Sequence, residues 1–134
     1  LSMFVLRAKC RLGDAGAELA LWGLAGETAR RAVGLLPVLG RQALEGGAAV
    51  VRLPDADGLP RALWMGPPDA APQGLPPLDP AAWDWLEVAA GVPRIVAATA
   101  EQFVPQMVNL ELVGGVDFQK GCYPGQEVVA RSQY

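Results

Sequence analysis

Ala48-Ala49-Val50-Val51-Arg52-Leu53, then Pro54-Asp55-Ala56-Asp57-Gly58, then Arg61-Ala62-Leu63-Trp64-Met65, is the stretch on which the fold turns. Two short apolar runs flank a cluster of turn formers. That pattern predicts strands over 48–53 and 61–65, joined as a hairpin. Asp55, Asp57 and Gly58 also match the opening of a calcium loop. The remaining ligands and the closing glutamate do not follow at the required spacing, so a plain turn is the reading kept.

Working outward, Met3 to Leu12 alternates apolar and basic residues and reads as a further strand. On that strand Cys10 shares the apolar face, as a buried and inert thiol. Gly13-Asp14-Ala15-Gly16 is a turn signal, and Ala17 to Leu24 completes a hairpin. Gly26 to Leu36 reads as a helix with Ala29, Ala32, Val33 and Leu36 on one face, ended by Pro37. Downstream, residues 66–80 hold six prolines and read as an irregular loop. Asp79 as N-cap and Pro80 at the first turn open a helix over 81–90, which Gly91 closes. Trp83, Trp85 and Leu86 read as its core residues, with a ligand-stacking surface as the other role open to the tryptophans. Antiparallel hairpins with helices on one face give an α+β fold. Past Gly91 the character changes. Residues 92–99 read as extended, 101–104 as a short helical turn, and 109–118 as extended chain broken by Gly114-Gly115. The expected organisation is an α+β domain over 1–91 and a separate segment over 92–134.

Composition narrows the function. A chain of 134 residues defaults to one domain, and 51% hydrophobic content supplies a core. The formal net charge of −3 argues against broad nucleic-acid binding, which needs a basic face. The pair Arg30-Arg31 reads as a solvated helix face. No apolar run reaches the roughly 20 residues that span a bilayer, and no signal peptide is visible. No membrane association is expected, and the cytoplasm is the default location. Two cysteines, Cys10 and Cys122, lie far apart and outside any CxxC spacing. There is no histidine. That removes Ser-His and Cys-His catalysis and His-containing metal sites from this chain, and no metal site is expected.

The chemistry concentrates in Lys120-Gly121-Cys122-Tyr123-Pro124-Gly125-Gln126-Glu127. Pro124 suits a first helical position, and Gln126 to Arg131 can continue a helix. Cys122 then sits near the positive end of a helix dipole, two residues from Lys120, and both effects favour thiolate over thiol. Gly121 and Gly125 allow close approach of a ligand or backbone. Each residue also has a plainer role. Cys122 fills space in a turn, Glu127 and Gln126 cap a helix, Lys120 pairs with Glu127, and Arg131 makes an i,i+4 pair with Glu127. Tyr123 offers a ring to a flat heterocycle.

Gln119 to Arg131, QKGCYPGQEVVAR, resembles the signature of the YgfZ-type folate-binding proteins, relatives of the glycine-cleavage T-protein aminomethyltransferase. Phe103 to Phe118 and Glu87 to Ile95 resemble the family's approach to that signature. The specific match covers about the last third of the chain. The resemblance implies a ferredoxin-like middle domain, with the signature-bearing segment packing on an N-terminal domain. This chain then reads as a fragment of a protein roughly twice as long. It further implies tetrahydrofolate as ligand, with Lys120, Gly121, Tyr123, Gly125, Gln126, Glu127 and Arg131 around it and Cys122 as the functional thiol. Iron–sulfur proteins or their assembly factors are the implied partners, with tRNA modification affected through them.

Two other functions stay open. An aminomethyltransferase would pass a one-carbon unit to tetrahydrofolate, but no complete catalytic constellation is visible, and a cysteine in this signature is foreign to the T-protein pattern. A small thiol redox module would need a resolving cysteine near Cys122, and none is present.

Overall fold

The computed structural model describes residues 9–117, 119–121 and 126–131. They form an α+β fold around a four-stranded antiparallel sheet. In chain order the elements are β1 (Ala20–Ala25), α1 (Gly26–Val33), β2 (Arg41–Ala43), β3 (Ala49–Ala56), β4 (Leu59–Gly66), α2 (Pro80–Ala89) and α3 (Gln126–Arg131). Short 3-10 turns lie at Glu45–Gly47, Pro68–Ala70 and Pro105–Val108.

The hairpin forms as its sequence requires. Asp57 and Gly58 both take positive φ, 49° and 76°. Two consecutive positive φ values make the tight turn whose twist matches the flanking strands. The sheet order is β1-β4-β3-β2, so β4 lies between β1 and β3. β1, α1 and β3 thus make a crossover with an antiparallel strand inserted, the split βαβ arrangement on which ferredoxin-like folds are built.

β2 has no counterpart in the sequence reading. It pairs antiparallel with β3, Arg41 opposite Val51 and Ala43 opposite Ala49. Its three residues carry no apolar alternation and are all exposed. The pairing comes from the turn at Gly46 and Gly47, both at positive φ, which folds the chain back on the hairpin.

The chain divides into two compact units, one of residues 1–53 with 62–75, the other of 54–61 with 76–134. In the first, Leu24, Ala29, Val33, Val50, Ala62 and Trp64 form the core. Ala62, Trp64 and Gly66 recur at every second residue of β4 and are buried, the period of one sheet face. Ala29 and Val33, one turn apart on α1, are buried in that core. The helix stops earlier than expected. Gly34 turns at φ 52° while its N–H still bonds the Arg30 carbonyl at 3.0 Å. Arg30 pairs with Glu27 on the exposed face, as a solvated pair should.

In the second unit, α2 is capped at both ends as its sequence predicts. The Asp79 carboxylate accepts from the Ala81 N–H at 2.9 Å. At the other end the N–H groups of Gly91 and Val92 reach back to the carbonyls of Val88 and Glu87, both at 3.0 Å, the Schellman closure. Trp83 is half-buried, but Trp85 is 61% exposed and no core residue. The helical angle explains it. Trp83, Leu86, Glu87 and Ala90 share one side, and Trp85 with Val88 falls on the other.

Three further expectations fail. Residues 9–12 are irregular and exposed, and Cys10 is an exposed free thiol rather than a buried one. Without a strand, its alternation with Lys9 and Arg11 has no face to define. Residues 3–8 lie outside the described residues. Between 92 and 117 no strand forms. The Thr99 hydroxyl instead bonds both the N–H and the carbonyl of Val96, closing a turn. Helical turn is found at Pro105–Val108 and not at 101–104. Asn109 stops it at φ 54°, a conformation asparagine tolerates better than most residues.

Gly66 is needed for space. A β-carbon there would stand 2.7 Å from the Ala48 β-carbon and 2.9 Å from its α-carbon. Gly66→Ala is expected to cost about 1–3 kcal/mol of stability through overpacking. Urea unfolding of the variant checks it; an unchanged midpoint would show that β3 and β4 separate without cost.

Candidate functional site

The signature meets the structure in parts. Lys120 and Gly121 are exposed, and Lys120 Nζ lies 3.3 Å from the Gly121 carbonyl oxygen. A β-carbon at Gly121 would meet nothing within 4 Å, so space is open there. Cys122, Tyr123 and Gly125, with Pro124, lie outside the described residues. α3 follows, with Glu127 in its first turn and Arg131 in its last, the charge order that complements a helix dipole. Gln126 and Val129 face partly inward, while Glu127, Val128, Ala130 and Arg131 are exposed. Arg131 does reach back one turn to Glu127. Its Nε donates to the Glu127 carbonyl oxygen at 3.4 Å, so the contact is to the backbone.

The donor types suit a reduced folate. An exposed carboxylate (Glu127) and an amide (Gln126) match the hydrogen-bonding edge of a pterin, and Lys120 and Arg131 match the carboxylates of its glutamate tail. These residues supply polar groups rather than enclosure. Among the described residues, no group of three or more His, Cys, Asp or Glu is placed to hold a metal ion.

Two features of the second unit escaped the sequence reading. The first holds α3. Gln106, in the Pro105–Val108 turn, donates from Nε2 to the Val129 carbonyl at 2.7 Å, across 23 residues of chain. The residue stands in plain sight within Phe103 to Phe118, but nothing in the sequence marks its partner.

The second is Arg61, whose side chain is fully buried on β4. Its Nε donates to the Pro54 carbonyl at 3.0 Å and its Nη1 to Glu87 Oε1 at 2.6 Å. The guanidinium lies 5.5 Å from the centre of the Trp83 ring, within range of a cation–π attraction. Nη2 is buried without a partner. A lone arginine inside an apolar strand run is the signal that was available.

Glu87 also lines an open cleft of about 520 Å³ with Asp84, Val88, Val92, Arg94 and Val108. Arg94 and Asp84 pair on its rim, both more than half exposed. The cleft is apolar between two neutralised ion pairs, and none of the described signature residues lines it.

Among proteins of known name, the chain is 40% identical over 125 aligned residues to a tRNA-modifying protein YgfZ of Edwardsiella ictaluri, an alignment covering 75% of this chain and 38% of the relative. It is 54% identical over 56 residues to the protein of the same name from Photobacterium profundum, covering 42% of this chain and 17% of that one. It is 48% identical over 60 residues to that of Colwellia psychrerythraea, covering 45% and 18%. The chain thus spans well under half the length of these relatives. No family model matches the chain, and no solved structure matches it.

Arg61→Ala strands the Glu87 carboxylate, and a loss of about 3–5 kcal/mol is expected. The double variant Arg61→Leu with Glu87→Leu should recover much of it. Denaturant midpoints of the two variants decide; equal losses would mean the charge pairing contributes nothing.

Proposed function

We propose that the complete gene product, for which this chain is a YgfZ homologue over its aligned residues, binds tetrahydrofolate and supports iron–sulfur proteins, and through them tRNA modification. The observation that carries the reading is the sequence match itself, since three relatives bearing the name of a tRNA-modifying protein align with this chain. Folate enters through the signature from Gln119 to Arg131 and the donor types described above. In this reading residues 92–134 form the signature-bearing segment, and the protein works in the cytoplasm.

An accessory role fits the charge better than a grip on tRNA. A protein that holds polyanions needs cations to displace counterions, whereas this chain carries 14 acidic against 11 basic residues. We therefore place its effect on tRNA downstream of a cluster-dependent enzyme. Cys122 is the proposed functional thiol. One-carbon transfer to folate has no evident need for a thiol, while contact with iron or with an oxidant does.

Two measurements test this together. Titration of the complete gene product with tetrahydrofolate should show saturable heat and protection from thermal unfolding; absence of both would remove the folate assignment. A strain carrying Cys122→Ala, at matched protein level, should lose activity of a cluster-dependent tRNA thiomethylating enzyme while glycine cleavage continues. Normal cluster-enzyme activity would demote Cys122 to a structural residue. Lost glycine cleavage with intact cluster enzymes would favour the aminomethyltransferase.

A further inference from the structure

We propose that Gln106 is the positioning residue of the signature helix, and that its amide nitrogen fixes where α3 presents Gln126 and Glu127. The inference starts from a helix end. The last four carbonyls of any helix lack an internal partner, and α3 is six residues long, so Val129 is one of these. Gln106 Nε2 supplies the missing donor at 2.7 Å. Val129 lies on the partly buried side of α3 together with Gln126, three residues earlier. The bond therefore acts on the side of the helix that carries a proposed ligand group.

The other end of the amide makes the case stronger. Gln106 Oε1 is buried and has no hydrogen-bond partner. Turning the amide over would set Oε1 against the Val129 carbonyl, two acceptors face to face, so the orientation is forced. A single neutral hydrogen bond contributes less than a buried unpartnered amide oxygen costs. The arrangement is thus no net source of stability. Buried polar groups left unsatisfied call for a particular explanation, and positioning supplies one. A leucine would occupy the site without the orphan oxygen and would remove this tether on α3.

The test uses the complete gene product and three variants. Gln106→Leu removes both the donor and the orphan acceptor. Gln106→Glu keeps the shape but offers oxygen to oxygen. Gln106→Lys restores a donor long enough to reach the Val129 carbonyl. The readout free of any ligand is amide hydrogen exchange at Ala130 and Arg131, whose N–H groups close the helix on Gln126 and Glu127 by the i to i−4 rule. Exchange there should quicken about tenfold in the Leu and Glu variants, with the melting temperature of the Leu variant unchanged or raised, and recover in the Lys variant.

The ligand arm rests on the folate reading above. Tetrahydrofolate affinity should fall about ten- to a hundredfold in the Leu and Glu variants, as expected when a binding group is misplaced, and recover with Lys. Unchanged exchange in the Leu variant overturns the proposal. So does equal loosening in the Leu and Lys variants, because the donor is then not the cause. Wild-type affinity in a variant whose α3 has loosened overturns it as well, since the position of the helix would not matter to the ligand. If the wild-type protein binds no tetrahydrofolate while α3 still loosens and recovers as described, the folate reading fails and the positioning role stands.

Discussion

Burying the Arg61 guanidinium is the constraint that organises the second unit. An arginine cannot shed its charge, so a fully buried one must find fixed partners. The partners come from two elements, β3 and α2. Pro54 offers a carbonyl from β3, Glu87 offers a carboxylate from α2, and Trp83 offers the face of its ring. Meeting those demands sets the rotation of α2 about its own axis. Trp83 and Glu87 must face inward, which carries Leu86 in with them and turns Trp85 and Val88 outward. Apolarity alone does not distinguish the two sides, because a tryptophan lies on each. The pair adds little net stability, since the desolvation of two charges offsets much of their attraction.

Local chemistry made part of this legible in the sequence. The β3–β4 hairpin needed only a pair of residues suited to positive φ between apolar runs. The caps of α2 needed only Asp79, Pro80 and Gly91, whose roles are set by neighbours within one turn. What stayed hidden depends on distant partners. β2 is a strand because β3 already exists beside it, and Arg41-Gln42-Ala43 has no pattern of its own. The turns between 92 and 117 follow from side chains bonding nearby backbone, as Thr99 does, while their apolar residues suggested extended chain. Ile95, Phe103, Met107 and Leu112 are each about half or more exposed, so apolarity there did not report burial.

The candidate site divides along the same line. Its signature was readable as a motif, and its resemblance pointed to the relatives that alignment then found. The geometry around it was not readable. Neither the tether from Gln106 to Val129 nor the contact of Arg131 with a backbone oxygen in place of a carboxylate is written in residue types. Both depend on where a six-residue helix lies, and a helix so short takes its place from tertiary contacts rather than from its own propensity.

The turn at Asp57 and Gly58 has a consequence in time. A two-residue turn joins strands adjacent in the chain, so this pairing closes early, on the microsecond scale usual for hairpins. Glu87 and Trp83 lie more than twenty residues further on, and a long proline-bearing loop must be closed before they arrive. During synthesis the hairpin therefore exists before the partners of its arginine do. Arg61 waits in water, fully hydrated, while β3 and β4 pair. Its desolvation by Glu87 and Trp83 comes only with the docking of α2. Were that docking to follow the main folding barrier, losing the interaction would quicken unfolding and leave the folding rate nearly untouched, a division that the two limbs of a denaturant chevron separate directly.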